Sequence, residues 1–135
     1  MLILAFLLAV AHASEEEFIG WRTIKLDCGV VEKAGKISLT ASADNTGIES
    51  FEIAAFGQTH RLSEADLKRL RGFPLNSLKV THEAGYPQLG GHTVHFRFRK
   101  VYYDADKKLR QEDAIVSVDE RHAVRVSDLK DTEAK

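Results

Sequence analysis

The chain has 135 residues, 44% of them hydrophobic, and its 19 Lys and Arg residues nearly balance its 20 Asp and Glu residues, giving a formal net charge of −1. This balance argues against general binding to nucleic acid or to an anionic membrane, because both need an excess of basic residues. A single cysteine cannot form an intramolecular disulfide, so the fold must depend on a hydrophobic core.

The first residues have the features of an export signal. An apolar run over residues 2–11 ends in Ala-His-Ala at 11–13, a small-x-small cleavage pattern, although no Lys or Arg precedes the run. The run is too short to span a bilayer and has the length of a secretory signal core. We therefore predict a signal peptide over 1–13 and a single β-rich domain over 14–135, periplasmic or secreted, with no stable membrane insertion after cleavage.

Three strands are predicted in the first half of the mature chain, because apolar and polar residues alternate over 22–28, 36–42 and 49–56. The sequence Asp-Asn-Thr-Gly at 44–47 separates the second strand from the third, and these residue types tolerate the backbone conformations that turns require. The lone thiol, Cys28, lies at the end of the first strand. We interpret it as a small buried hydrophobe, with a nucleophile or a dimer-forming thiol as alternatives.

One short helix is predicted after these strands. Ser63 is a typical N-cap, and the acidic residues that follow it favour the positive end of the helix dipole. Leu67 and Leu70 lie three residues apart and form an apolar face. Gly72 and Pro74 end the helix after about two and a half turns.

Alternation returns in the second half, where strands are predicted over 77–83, 92–103, 109–118 and 123–126. The tail beyond the last strand has little to bury and is expected to fray. About seven short strands with one short helix predict a mainly β fold, namely an antiparallel β-sandwich or a small open barrel.

The longest predicted strand, 92–103, has two different faces. The residues expected to face the core are Val94, Phe96 and Phe98. The residues expected on the opposite face are His95, Arg97, Arg99, Val101 and Tyr103. Three basic or potentially basic groups spaced about 7 Å apart are either paired by acids on the next strand, for which Glu112 and Asp113 are candidates, or left free to contact an acidic partner.

A ten-residue loop, HEAGYPQLGG, precedes this strand, whereas hairpin connections usually have two to five residues. A long loop that carries a tyrosine and a proline is typical of recognition loops on a rigid sheet, although a plain connection at the end of a sandwich is the alternative. Tyr and Arg are the residues most often found at the energetic centre of an interface. The predicted partner-binding set is Gly85, Tyr86, His92, His95, Arg97, Arg99 and Tyr103.

The sequence gives less support to a catalytic site or a metal site. His92 and His95 are three residues apart in a strand, so their side chains point to opposite faces and cannot chelate one ion together. The chain has no Gly-x-Ser-x-Gly elbow and no phosphate-binding glycine loop. We expect no catalytic residues, no metal ligands and no cofactor. A metal-binding protein that uses His60, His82 or His122, and a small enzyme of unknown class, remain the alternatives.

A small exported β-rich chain with a Gly85-Tyr86 loop resembles the bacterial periplasmic lysozyme inhibitors in architecture and compartment. Members of that family present a Ser-Gly-x-x-Tyr loop to the acidic cleft of lysozyme, and Ser-Gly does not occur in this chain. The resemblance implies a partner with an acidic surface or cleft, such as lysozyme, whose cleft depends on two carboxylates. We therefore expect an exported binding module that binds a protein and not a nucleic acid.

Overall fold

A computed structural model of the chain describes residues 22–45, 47–86, 88 and 91–133, with side chains described as far as residue 128. The predicted signal peptide and its cleavage site lie outside the described residues, as do Pro87 and Gly90 of the predicted recognition loop.

The described strands form two four-stranded antiparallel sheets, each in simple chain order. The first sheet contains β1 Thr23–Val31, β2 Gly35–Asp44, β3 Gly47–Ala55 and β4 Gln58–Arg61. The second sheet contains β5 Lys79–Glu83, β6 Thr93–Tyr103, β7 Leu109–Asp119 and β8 Val124–Glu133. Helix α1, Glu64–Arg69, and a 3-10 turn, Leu75–Ser77, join the two sheets. The predicted mainly β, antiparallel fold is confirmed, and the division into two sheets favours the sandwich over the open barrel.

The core lies between the two sheets, where alternate residues of the central strands meet. Phe96 and Phe98 of β6 are completely buried, as the alternation predicts. The Phe51 ring of β3 meets both edge-on, with ring centroids 5.9 Å and 5.7 Å away, a favoured arrangement for aromatic pairs. Because each buried residue of β6 is followed by one on the far side of the sheet, this packing fixes which face of the strand meets solvent.

The sequence prediction missed strand β4, so the described residues contain eight strands where seven were expected. Phe56 and Gly57 both have positive φ, 53° and 73°, which is the conformation of the two-residue turns that join twisted strands. Ala55 then pairs directly with Gln58. The segment Gln-Thr-His-Arg has no apolar alternation, so only this turn marks the strand.

Helix α1 starts at the predicted N-cap and closes one edge of the sandwich, but its six residues are fewer than the predicted two and a half turns need. The Ser63 hydroxyl accepts a hydrogen bond from the Asp66 amide at 3.2 Å, and Leu70 at the helix end is completely buried. Arg69 reaches Asp128 of β8 at 3.3 Å. Within the described ranges, no helix is long and apolar enough to cross a membrane.

The prediction that the tail frays is wrong for the residues up to Glu133. Strand β8 continues to that residue, and its backbone pairs with β7 as far as Glu133 with Arg110, with one register shift between Gln111 and Glu112. Apolar side chains are not needed for this extension, because the ladder hydrogen bonds come from the backbone.

Candidate partner-binding surface

The outer face of the second sheet carries the basic row that the sequence predicts. His95, Arg97 and Arg99 alternate along β6 with the buried residues and are themselves half-buried. Val101 and Tyr103 continue the same row and are 52% and 73% exposed. We call these five residues the β6 row.

Arg99 is paired within the sheet. Its Nε and one terminal nitrogen donate to the two carboxylate oxygens of Asp113, directly across on β7, at 2.8 Å and 3.0 Å. These hydrogen bonds lower the pKa of Asp113 below its usual value; burial opposes the effect, and the charges of Arg99 and Arg97 add to it. The same hydrogen bonds raise the pKa of Arg99. The prediction that Asp113 pairs the basic row is therefore confirmed for Arg99.

Glu112, the other acid expected to pair this row, contacts different residues. Its carboxylate lies 3.0 Å from Nζ of Lys100 and accepts a hydrogen bond from the Tyr102 hydroxyl at 2.9 Å. Neighbouring residues of a strand point to opposite faces, so Glu112 cannot share the face that Asp113 occupies. The expected role of Glu112 is wrong for this reason.

His95 is also held in place. One ring nitrogen, Nδ1, lies 2.7 Å from the Ser117 hydroxyl, and the other, Nε2, lies 3.0 Å from the Glu83 carboxylate. In a neutral ring, Nε2–H donates to Glu83 while Nδ1 accepts from Ser117, so both nitrogens are satisfied. The two neighbouring strands, β5 and β7, therefore fix the orientation of this ring.

Arg97 differs from both neighbours in the row. Its Nε is buried and has no hydrogen-bond partner among the described residues. The residues opposite it are Lys79 on β5 and Ile115 on β7, so neither neighbouring strand supplies a carboxylate directly across from it. A buried donor without a partner is costly to the fold. Arg97 is thus the cation of the β6 row that has no hydrogen bond at Nε, although its charge helps to lower the pKa of Asp113.

The predicted recognition loop is closed at its base by the backbone. Gly85 N–H donates to the Gly91 carbonyl at 3.1 Å, and Gly91 N–H donates to the Tyr86 carbonyl at 3.0 Å. A side chain on Gly85 would place its Cβ 2.5 Å from the Gly91 oxygen, so this close approach requires glycine. The Tyr86 side chain is 74% exposed beside this closure.

His92 does not join the β6 row. Its ring stacks on that of His82, with centroids 5.0 Å apart and Nδ1 2.9 Å from Nε2 of His82. His82 pairs in register with Val94, which places it on the face that is turned to the core side. His92 and His95 thus have different partners, as the strand argument predicts. Across the part of the chain that the structure describes, no group of three or more His, Cys, Asp or Glu residues could hold a metal ion.

The predicted site residues are therefore spread along the second sheet. Tyr86 precedes β6 and Tyr103 ends it, and eleven strand residues span about 35 Å. The structure brings together His95, Arg97 and Arg99 on one face, with Tyr103 at the end of the same row. It places Gly85 and Tyr86 at the opposite end, and His92 beside His82.

Sequence reasoning missed a cleft between the sheets at the edge where β1 and β5 lie. It has a volume of about 380 Å³, and its lining residues are Leu26, Asp27, Cys28, Val31, Ile37, Val80, Thr81, His82 and Val94. We call it the open-edge cleft. Alternation identified Leu26 and Val80 as inward-facing residues, but it contains no information about which strands lie at the edges of the sandwich.

Comparisons of the chain with protein-family models, with curated proteins and with solved structures find no match in any of the three.

Proposed function

We propose that this chain is an exported binding module that acts without catalysis and contacts a protein partner through the outer face of its second sheet. The observation that carries the proposal is Arg97 in the centre of the β6 row, whose Nε has no hydrogen-bond partner among the described residues. A carboxylate on a partner would pair with the charge of this partly exposed side chain.

Rigidity of the surroundings supports this role for Arg97. His95 on one side and Arg99 on the other are held by hydrogen bonds to Glu83 and Asp113. These neighbours limit the space open to the Arg97 side chain, so less side-chain entropy is lost when a partner binds. Bidentate recognition of a carboxylate also suits the planar guanidinium group better than it suits the ammonium group of lysine.

The tyrosines would extend the contact in both directions. Tyr103 and Val101 offer exposed apolar area at one end of the β6 row, and Tyr86 is exposed on the closed loop at the other end. A central charged anchor with aromatic residues around it is the usual composition of an interface hot spot. The best-supported partner is a protein with an acidic surface or cleft, and an inhibitor of a cleft enzyme such as lysozyme is the specific form that we propose.

The experiment compares two charge reversals, one on each sheet. Arg97→Glu places a carboxylate in the β6 row, and Arg61→Glu is the matched control on the first sheet, where Arg61 is exposed and paired with Glu52 at 2.7 Å. Wild-type protein and the control should block cell-wall lysis by a panel of lysozymes at stoichiometric amounts. Arg97→Glu should weaken inhibition about tenfold or more, because a like-charge contact replaces an ion pair.

Two results would contradict the proposal. Failure of the wild-type protein to inhibit any lysozyme removes the inhibitor role. Capture of the same partners from periplasmic extract by wild-type protein and by Arg97→Glu, in equal amounts, removes the β6 row as the contact surface. Thermal melting of both variants checks that the fold is retained.

A further inference from the structure

We propose that the open-edge cleft binds one small, uncharged, mainly apolar molecule. This site differs from the β6 row, because most of its lining, including Leu26, Val80 and Val94, lies on the inner sides of the sheets, although Thr81 pairs with His95. The two sites can therefore be tested independently.

The size and lining of the cleft suit a small molecule. Its volume of about 380 Å³ falls within the range of roughly 300–1,000 Å³ that is usual for small-ligand sites. Five apolar side chains form most of the wall, and they are Leu26, Val31, Ile37, Val80 and Val94. Leu26, Val31 and Val80 are only half-buried, so an apolar molecule in the cleft would remove more of their surface from water.

The charge of the cleft selects a neutral molecule. Among the described lining residues, Asp27 carries the one formal charge, and no Lys or Arg lines the cleft to receive an anion. Burial, followed by the nearby charge of Asp27, raises the pKa of the Cys28 thiol. The thiol therefore stays protonated near neutral pH and adds no charge to the wall. Thr81 and His82 supply hydrogen-bonding groups beside the apolar wall.

An added strand fits this edge less well than a small molecule does. The register of β1 shifts between Asp27 and Val30, next to the cleft. Gly29 there has a positive φ of 81°, and its amide donates to the Asp27 carboxylate at 2.9 Å. A bulge of this kind interrupts the regular row of backbone donors and acceptors that an incoming strand would need.

Two readouts test the proposal with the neutral fluorescent probe N-phenyl-1-naphthylamine. The probe should bind the wild-type protein saturably at one molecule per chain, whereas the anionic probe 1-anilinonaphthalene-8-sulfonate should bind much more weakly. Cys28 is the one cysteine of the chain, so its alkylation by iodoacetamide reports on the cleft directly. At ten times the dissociation constant of the probe, alkylation should slow about tenfold, because that is the factor by which the empty fraction falls.

A matched pair of variants locates the probe. Val80→Trp fills the cleft and should abolish probe binding. Val101→Trp makes the same change on the outer face of the second sheet and should leave probe binding intact, as should Arg97→Glu.

Three results would overturn the proposal. One is the absence of saturable binding, and another is alkylation that the probe does not slow. The third is loss of probe binding as the protein concentration rises and the mass doubles, since a second copy would then cover the cleft. If Val80→Trp does not melt cooperatively, protection of Cys28 in the wild-type protein decides the question alone.

Discussion

The two edges of the sandwich are built differently. At the edge where β4 and β8 lie, helix α1 packs with Leu70 completely buried, and Arg69 pairs with Asp128. At the edge where β1 and β5 lie, Leu26 and Val80 remain half-buried around the open-edge cleft. Alternation along a strand determines which side chains turn inward, but the path of the connecting chain determines which of them are fully covered.

The largest effect is expected in the core between the two edges. Phe96→Ala removes a completely buried ring that packs on Phe51, and it should lower the free energy of unfolding by about 3–5 kcal/mol. Urea denaturation of the wild-type protein and the variant measures this loss. A loss below about 1 kcal/mol would mean that β6 packs its other face inward. The assignment of a covered and an open edge would then be wrong.

A smaller loss of stability should distinguish the covered edge from the open edge. Leu70→Ala at the covered edge should lower the free energy of unfolding by about 2–5 kcal/mol, because a cavity remains where the side chain was. Leu26→Ala makes the same change at the open edge, where the side chain already meets solvent, and should lower it by about 1–2 kcal/mol. Urea denaturation of both variants measures the difference. Equal losses would show that the open-edge cleft is closed in solution.

The smallest effect on the free energy of unfolding is expected when the pH is lowered. Hydrogen bonds from Arg99 lower the pKa of Asp113, and hydrogen bonds from Arg110 and from backbone amides lower the pKa of Asp104. A carboxyl with a lowered pKa stabilises the fold above its unfolded value of about 3.9, and this contribution is lost as pH falls through the lower folded value.

The measurement is urea denaturation between pH 6 and pH 3 for the wild-type protein and Asp113→Asn. The variant should lose less stability across this interval, because one of the linked carboxyls is gone. An equal acid response in the variant would show that Arg99 does not hold Asp113 in solution.

Much of the fold follows from the local sequence. The alternation of 92–103 predicts β6 and its buried face, and Ser63 predicts the start of α1, because both depend on neighbours within a few residues. Strand β4 was missed since its four residues are polar and its pairing depends on the turn at Phe56 and Gly57.

The candidate site was predictable only in part for a similar reason. Alternation places Arg97 on the outer face, but the absence of a carboxylate opposite it depends on the register of β6 with β5 and β7. The separation of His92 from the β6 row depends in the same way on His82, ten residues earlier in the chain. The open-edge cleft arises from the stacking of two sheets, which no single strand encodes.

Each sheet comes from one continuous half of the chain, with residues 23–61 in the first and 79–133 in the second. All the paired strands are therefore neighbours in sequence, and such short-range pairings favour rapid folding. Since no ladder links the halves among the described residues, they adhere by side-chain packing, apart from a few polar contacts at the margins. A chain cut between residues 70 and 78 should consequently yield two fragments that reassemble on mixing.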